Sequence, residues 1–249
     1  MAIAFVQNVA SGGTSVSATT LVITVGVTTT VGNHLCLSHV QSADPQRSIS
    51  SLTDSKGNTW QIDHAPVTVA GLSATGFIAS CKITTALVSG NTITVVLSGN
   101  TSQAMSCQEY SGLAAASWFD KKAEANDGVG STASDSGLTA TTAQADELLY
   151  TNLAHVSTVG SFAWEVLSPI WNSRTVAAST GTVRTVRPAD RIVAATGTYS
   201  AKATWTTTRD WDGIIATYKG AAAVVTAIPW ALRSGIMIPE KVVWSGMTL

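Results

Sequence analysis

Runs rich in Val, Ile and Thr recur along this chain about every eight to twelve residues, and turn residues close each one. Residues 21–27, 34–40, 76–83, 92–97 and 104–110 are of this kind. Residues 92–97 alternate strictly, with Ile93, Val95 and Leu97 on one side. No stretch carries the period of an amphipathic helix. Branched Cβ atoms suit a pleated surface. The pattern therefore restricts the chain to an all-β sandwich or barrel.

The best-defined turn lies between Leu52 and Trp60, with sequence Leu-Thr-Asp-Ser-Lys-Gly-Asn-Thr-Trp. It reads as a small β-hairpin. Asp54 opens it, Gly57 and Asn58 tolerate a positive φ, and Trp60 starts the second strand with a large apolar surface to bury. These four residues are markers of the fold. Their spacing does not match a calcium loop.

The organisation expected is one jelly-roll-like β-sandwich over residues 1–220, followed by an irregular apolar extension over 221–249. Turns are expected at Gly12-Gly13 and Gly99-Asn100, and residues 120–136 read as a long polar connection. Beyond that connection the pattern begins again. Both His39-Val40 and His155-Val156 close a strand, and Tyr110-Ser111-Gly112 resembles Tyr218-Lys219-Gly220. Two arrangements stay open: one continuous sandwich, or a sandwich built from two related half-domains offset by about 110 residues. The extension carries Ile228, Pro229, Trp230, Ile236, Met237, Ile238, Val243 and Trp244 without strand or helix periodicity. Apolar segments of this kind dock on something, and a neighbouring chain is the expected partner.

Composition narrows function mainly by exclusion. Charged residues are 12% of the 249 and the net charge is −1, with no basic run. A nucleic-acid partner needs a basic stripe, so none is expected. No apolar run is long enough to span a membrane, and the N-terminus lacks the pattern of a signal peptide. A hydroxyl-rich surface with few ions suits packing against further copies of the same chain, so a homo-oligomer is expected. Arg184, Arg187 and Arg191 read as a solvated or intersubunit face. The three cysteines, Cys36, Cys81 and Cys107, are widely spaced and fit buried free thiols in a protein synthesised in a reducing cytoplasm.

No catalytic, cofactor or metal site stands out. His34, His39, His64 and His155 sit in strands, where buried hydrogen-bonded imidazoles are the rule, and no nucleophile elbow occurs. Asp210 and Asp212 flank Trp211. Two acids on one strand face could hydrolyse a polysaccharide, but the aromatic platform then points the other way. Most of the eight tryptophans are expected in the core, with one or two free to stack on sugar rings.

One resemblance runs through residues 20–220. Thr53-Asp54-Ser55-x-Gly57-Asn58-x-Trp60 is followed by Gly90-Asn91-Thr92-x-Thr94-Val95, Glu109-Tyr110-Ser111-Gly112-Leu113, Thr141-Thr142 before Asp146-Glu147-Leu148-Leu149, and Trp211 ahead of Tyr218-Lys219. This series resembles a β-sandwich family of tailed-phage and prophage structural proteins, among them capsid decoration, minor capsid and tail-associated proteins. The resemblance implies a non-enzymatic virion component whose partners are other capsid or tail proteins. A tail or baseplate module that binds host surface glycans is the alternative, and a polysaccharide hydrolase is a third reading. The family has no shared catalytic residues to transfer.

Overall fold

The computed structural model describes residues 2–67, 69, 71–180 and 183–222. The docking residues expected at Ile228, Pro229, Trp230, Ile236, Met237, Ile238, Val243 and Trp244 lie outside them. Among the described residues all regular structure is β.

The strands are β1 (Ala4–Gly13), β2 (Ala18–Thr24), β3 (His34–Ser42), β4 (Ile49–Asp54), β5 (Trp60–His64), β6 (Ala74–Lys82), β7 (Thr92–Thr101) and β8 (Gln103–Ser111). There follow β9 (Phe119–Asp135), β10 (Asp146–Val156), β11 (Ala163–Trp164), β12 (Asn172–Ser173), β13 (Ala177–Ala178), β14 (Arg184–Ala194) and β15 (Lys202–Lys219). They form three antiparallel sheets. One has the order β1-β8-β3-β6-β5, a second β2-β7-β4, and the largest runs β11-β15-β10-β14-β12, with β9 on β15 and β13 on β14.

The five-stranded sheet is the middle layer. Leu35, Leu37, Phe77, Ala79, Met105 and Cys107 on one face pack against Leu21, Ile23, Ile93, Val95 and Leu97 of the three-stranded sheet. On the other face Cys36, Ile78 and Tyr110 meet Leu148, Tyr150, Ile214 and Tyr218 of the largest sheet. Covering both faces explains why β3, β6 and β8 are buried along almost their whole length. The expected two-layer sandwich is therefore three layers deep.

Within residues 1–113 successive strands pass between the middle and the small sheet, β1 to β2 to β3 to β4. The alternation continues to β5 and is broken at β6, which stays in the middle sheet beside β5. Because β4 pairs with β7 and β5 with β6, the segment between Asp54 and Trp60 is not a hairpin. It is an arch that carries the chain from one sheet to the other.

The other expectations about turns also change. Gly12-Gly13 and Gly99-Asn100 lie inside β1 and β7. Gly13 stands at a close crossing, since a Cβ there would lie 2.3 Å from the Ala178 carbonyl oxygen of β13. Residues 120–136 are not a connection: 119–135 form β9, an edge strand paired with β15. An edge strand with one solvated side carries polar residues, and that composition disguised it.

The two larger sheets share one connectivity. Numbering only the strands of each sheet, and leaving out the two-residue β11 and β13, β1-β8-β3-β6-β5 places the first, last, second, fourth and third strands side by side, and β9-β15-β10-β14-β12 does the same. The closing strands meet at their ends: Leu113 bridges Gly220, and the Ala221 amide donates to the Gly112 carbonyl at 2.7 Å. Equating Tyr110 with Tyr218 by their pairing aligns His34 with Leu148, so His39-Val40 and His155-Val156 stand two residues out of register but on matching faces.

Candidate functional site

The interface between the middle and the largest sheet is where the buried polar chemistry of this chain collects. Two closing-strand tyrosines reach across it in opposite directions. Tyr110 of β8 donates to Asp190 Oδ2 of β14 at 2.6 Å, and Tyr218 of β15 donates to Asp63 Oδ2 of β5 at 2.7 Å. Asp190 is also held by both guanidinium arms of Arg174, whose charge stacks 3.6 Å from the centre of the Phe5 ring. At the centre, Ser38 donates to the Tyr150 hydroxyl at 3.0 Å, and Tyr150 donates to Gln108 Oε1 at 2.6 Å.

Two side chains of the largest sheet go further and bond to the backbone of the middle one. The Asn152 amide donates to the carbonyls of His39 and Phe77 at 2.8 and 3.1 Å. Asp212 Oδ2 accepts from the Gly76 amide at 2.9 Å and from Thr75 Oγ1 at 3.1 Å. Gly76 makes room for both, since a Cβ there would lie 2.5 Å from the His39 carbonyl and 2.6 Å from Asn152 Nδ2.

Asp212 belongs to a row of ionisable groups. Burial, then the charge of Glu124, pushes its carboxyl well above the usual range. Glu124 in turn lies with one carboxylate oxygen 3.0 Å from His64 Nε2. Glu124 lies on β9, His64 ends β5 and Asp212 lies on β15, so the row joins the two halves. All three side chains are largely withdrawn from solvent.

Asp210, the other acid beside Trp211, is separate. It accepts from the Ser73 amide and lines an open polar cleft of about 390 Å³ with Gly71, Gly128, Gly130, Ser157 and Arg209. The two acids expected to work together thus face different surroundings, and Asp212 has no surface for a polymer to touch. Trp211 is buried in the outer face of the largest sheet, with Nε1 donating to Ser131 Oγ at 2.9 Å.

At the arch, Asp54 Oδ1 accepts from the Lys56 and Asn58 amides at 2.8 and 3.3 Å, and Oδ2 accepts from Trp60 Nε1 at 3.0 Å. Gly57 has φ +74°, as a tight reversal needs, whereas Asn58 serves through its side chain. Asn58 Oδ1 accepts from the Thr84 and Thr85 amides at 2.9 Å, and Nδ2 donates to the Thr85 carbonyl at 3.0 Å. The side-chain polar groups of Asp54, Asn58 and Trp60 are all committed to closing the corner.

The histidines are buried, as expected for strand positions, and burial lowers His34, His39 and His155 to about 4. The three cysteines are buried free thiols. Of the three arginines expected on a solvated or intersubunit face, Arg184 departs from that expectation and the other two are half-buried. Arg184 is buried against the middle sheet, while Arg187 and Arg191 lie over the rings of Phe162 and Tyr199 on the outer face of β14. Sequence reasoning missed Glu124, because residues 120–136 looked like a loop. The alternation Lys122-Ala123-Glu124-Ala125-Asn126 was the signal available, with Ala123 and Ala125 turned to the outer core.

No protein-family model, curated protein or solved structure matches this chain.

Proposed function

We propose that this protein is a non-enzymatic structural component of a phage virion, an external decoration or minor protein of the head. In this reading the layered sandwich is displayed, and residues 221–249 attach it to neighbouring capsid or tail chains. The observation that carries the reading is where the chain enters and leaves the sandwich. β1 starts beside the end of β8, Ile3 lies over Gly220, and Ala221 is bonded to Gly112. Both chain ends of the described body thus sit at one pole, so an apolar extension that starts there can hold the body by one end. The buried cross-layer bonds of Tyr110, Tyr218, Asn152 and Asp212 support the same reading, since those groups are spent on tying layers together. Repetition on a symmetric particle would make weak individual contacts sufficient.

Removing residues 221–249 tests it. The truncated protein is expected to fold with an unchanged thermal midpoint and to be missing from purified particles. Normal incorporation of the folded truncation would overturn the reading.

A second reading, a tail-associated module that binds host surface glycans, rests on Phe162 and Trp164. These two half-buried rings lie edge to face with centroids 5.2 Å apart on the outer face of the largest sheet, and Arg187 stacks on Phe162. It predicts saturable binding to host surface polysaccharide that Trp164→Ala removes. Absence of binding by the intact protein would dismiss it.

A further inference from the structure

The chain buries two arginines between the middle and the largest sheet and treats them differently. Arg174 is closed by both oxygens of Asp190. Arg184, at the start of β14, is 8% exposed and has no ion-pair partner within 4.0 Å among the described residues. Its two terminal nitrogens make only long contacts, Nη2 to Ser42 Oγ at 3.2 Å and Nη1 to the Val183 carbonyl at 3.4 Å. Its buried Nε has no acceptor among the described residues. A guanidinium taken out of water without a carboxylate is expensive, and a donor left unpaired adds to that cost. The field of Asp210 compensates it only in part, since burial still lowers Arg184 from its ordinary value.

Arg184 forms one wall of a cavity of about 160 Å³. Ser17, Ser42, Asn100, Thr101 and Ser102 line the rest of it with hydroxyl and amide groups, the Ser42 and Thr101 hydroxyls donating only in long bonds of 3.4 Å to the Asp44 and Ser102 carbonyls. Asp44 is the one acid in the wall; it is exposed, so water screens it. At about 30 Å³ of liquid volume per water, the space equals that of roughly five waters. The space is open to solvent on one side, and beside Arg184 it has room for one compact anion with a water or two.

We infer that this cavity binds a single small oxyanion, held by charge-assisted bonds from Arg184 and by the hydroxyls opposite it. Planar guanidinium donors match the oxygens of phosphate and carboxylate alike. The ligand is therefore defined by that shared chemistry. Its site joins the ends of β3, β7 and β8 in one half to β14 in the other, so occupancy would stiffen the junction.

The test uses the full chain and three separate titrations, with inorganic phosphate, sulfate and acetate, against sodium chloride at matched ionic strength. Thermal midpoint and calorimetric binding are both read. Phosphate or sulfate is expected to raise the midpoint saturably, since a ligand bound only by the folded state stabilises it. Saturation with acetate alone would support the site with a carboxylate as its ligand. Arg184→Met should weaken binding by roughly tenfold or more, with chloride inert throughout. Should Arg184→Met fail to fold, the Ser42→Ala, Ser102→Ala double variant replaces it, with weaker binding expected. Equal midpoint shifts from chloride and from every oxyanion would overturn the inference, as would undiminished binding by a folded variant.

Discussion

Asn152 and Asp212 show how single side chains hold two sheets in register. Each leaves the largest sheet and satisfies main-chain groups of the middle one, at His39, Phe77 and Gly76. Buried backbone carbonyls left without donors cost about 1–3 kcal/mol each. Asn152→Leu keeps the shape and removes the donors, so it should destabilise the fold by about 2 kcal/mol in urea denaturation; a change under about 0.5 kcal/mol would mean the carbonyls are satisfied otherwise.

The titrating residues pull against each other. Burial lowers His34, His39 and His155 from 6.5 to about 4, so the unfolded chain takes up protons first and stability falls as pH drops through that window. Asp63 and Glu147 have the opposite sign. Burial raises them to about 6 and about 7, so their share of stability is present at low pH and is lost as pH rises through those values. Asp63→Asn removes one opposing share. Between about pH 6 and pH 4 its stability should decline more steeply than that of the parent, read from urea midpoints at several pH values. A parallel decline would contradict it.

Among the elements, the arch between β4 and β5 decides how the first half closes. β4 and β5 lie in different sheets, so no ladder hydrogen bonds hold their junction. Asp54 and Asn58 take over that work. Asn58 alone accepts three hydrogen bonds, from the Thr84 amide, the Thr84 hydroxyl and the Thr85 amide. Asn58→Ala is expected to cost about 2–3 kcal/mol, measured by chemical denaturation, and to raise amide exchange at Thr84 and Thr85. β9 makes the complementary point. It is long and sits beside β15, but its hydrophobic signal is weak because it has one neighbour and one solvated side.

At the level of the whole molecule, two halves with the same strand order face each other across a buried interface, and each sends a tyrosine to an aspartate of the other. This is the reciprocity of a self-complementary dimer interface built within one chain. Each half would expose that interface if it opened alone. Thermal unfolding of the described body is therefore expected as one transition, with equal calorimetric and van't Hoff enthalpies. Two resolved transitions would show that the halves are independent.

Local chemistry determined a great deal by itself. The alternation of Leu35, Leu37 against Cys36, Ser38 placed two faces on β3, and both proved buried. β-branched runs and turn residues set the all-β class, and Tyr110-Ser111-Gly112 with Tyr218-Lys219-Gly220 marked the related strand ends. Which strands pair was decided only in three dimensions. Period-two alternation says that a strand has two faces, but not which neighbour supplies its hydrogen bonds. That is why the arch at Asp54–Trp60 reads as a hairpin and β9 as a loop. The buried row of His64, Glu124 and Asp212 draws on three strands far apart in sequence. So does the Arg184 cavity, whose walls come from residues 17, 42–45, 100–102 and 184. Burial and a missing counter-charge are properties of the packed layers, and no local pattern encodes them.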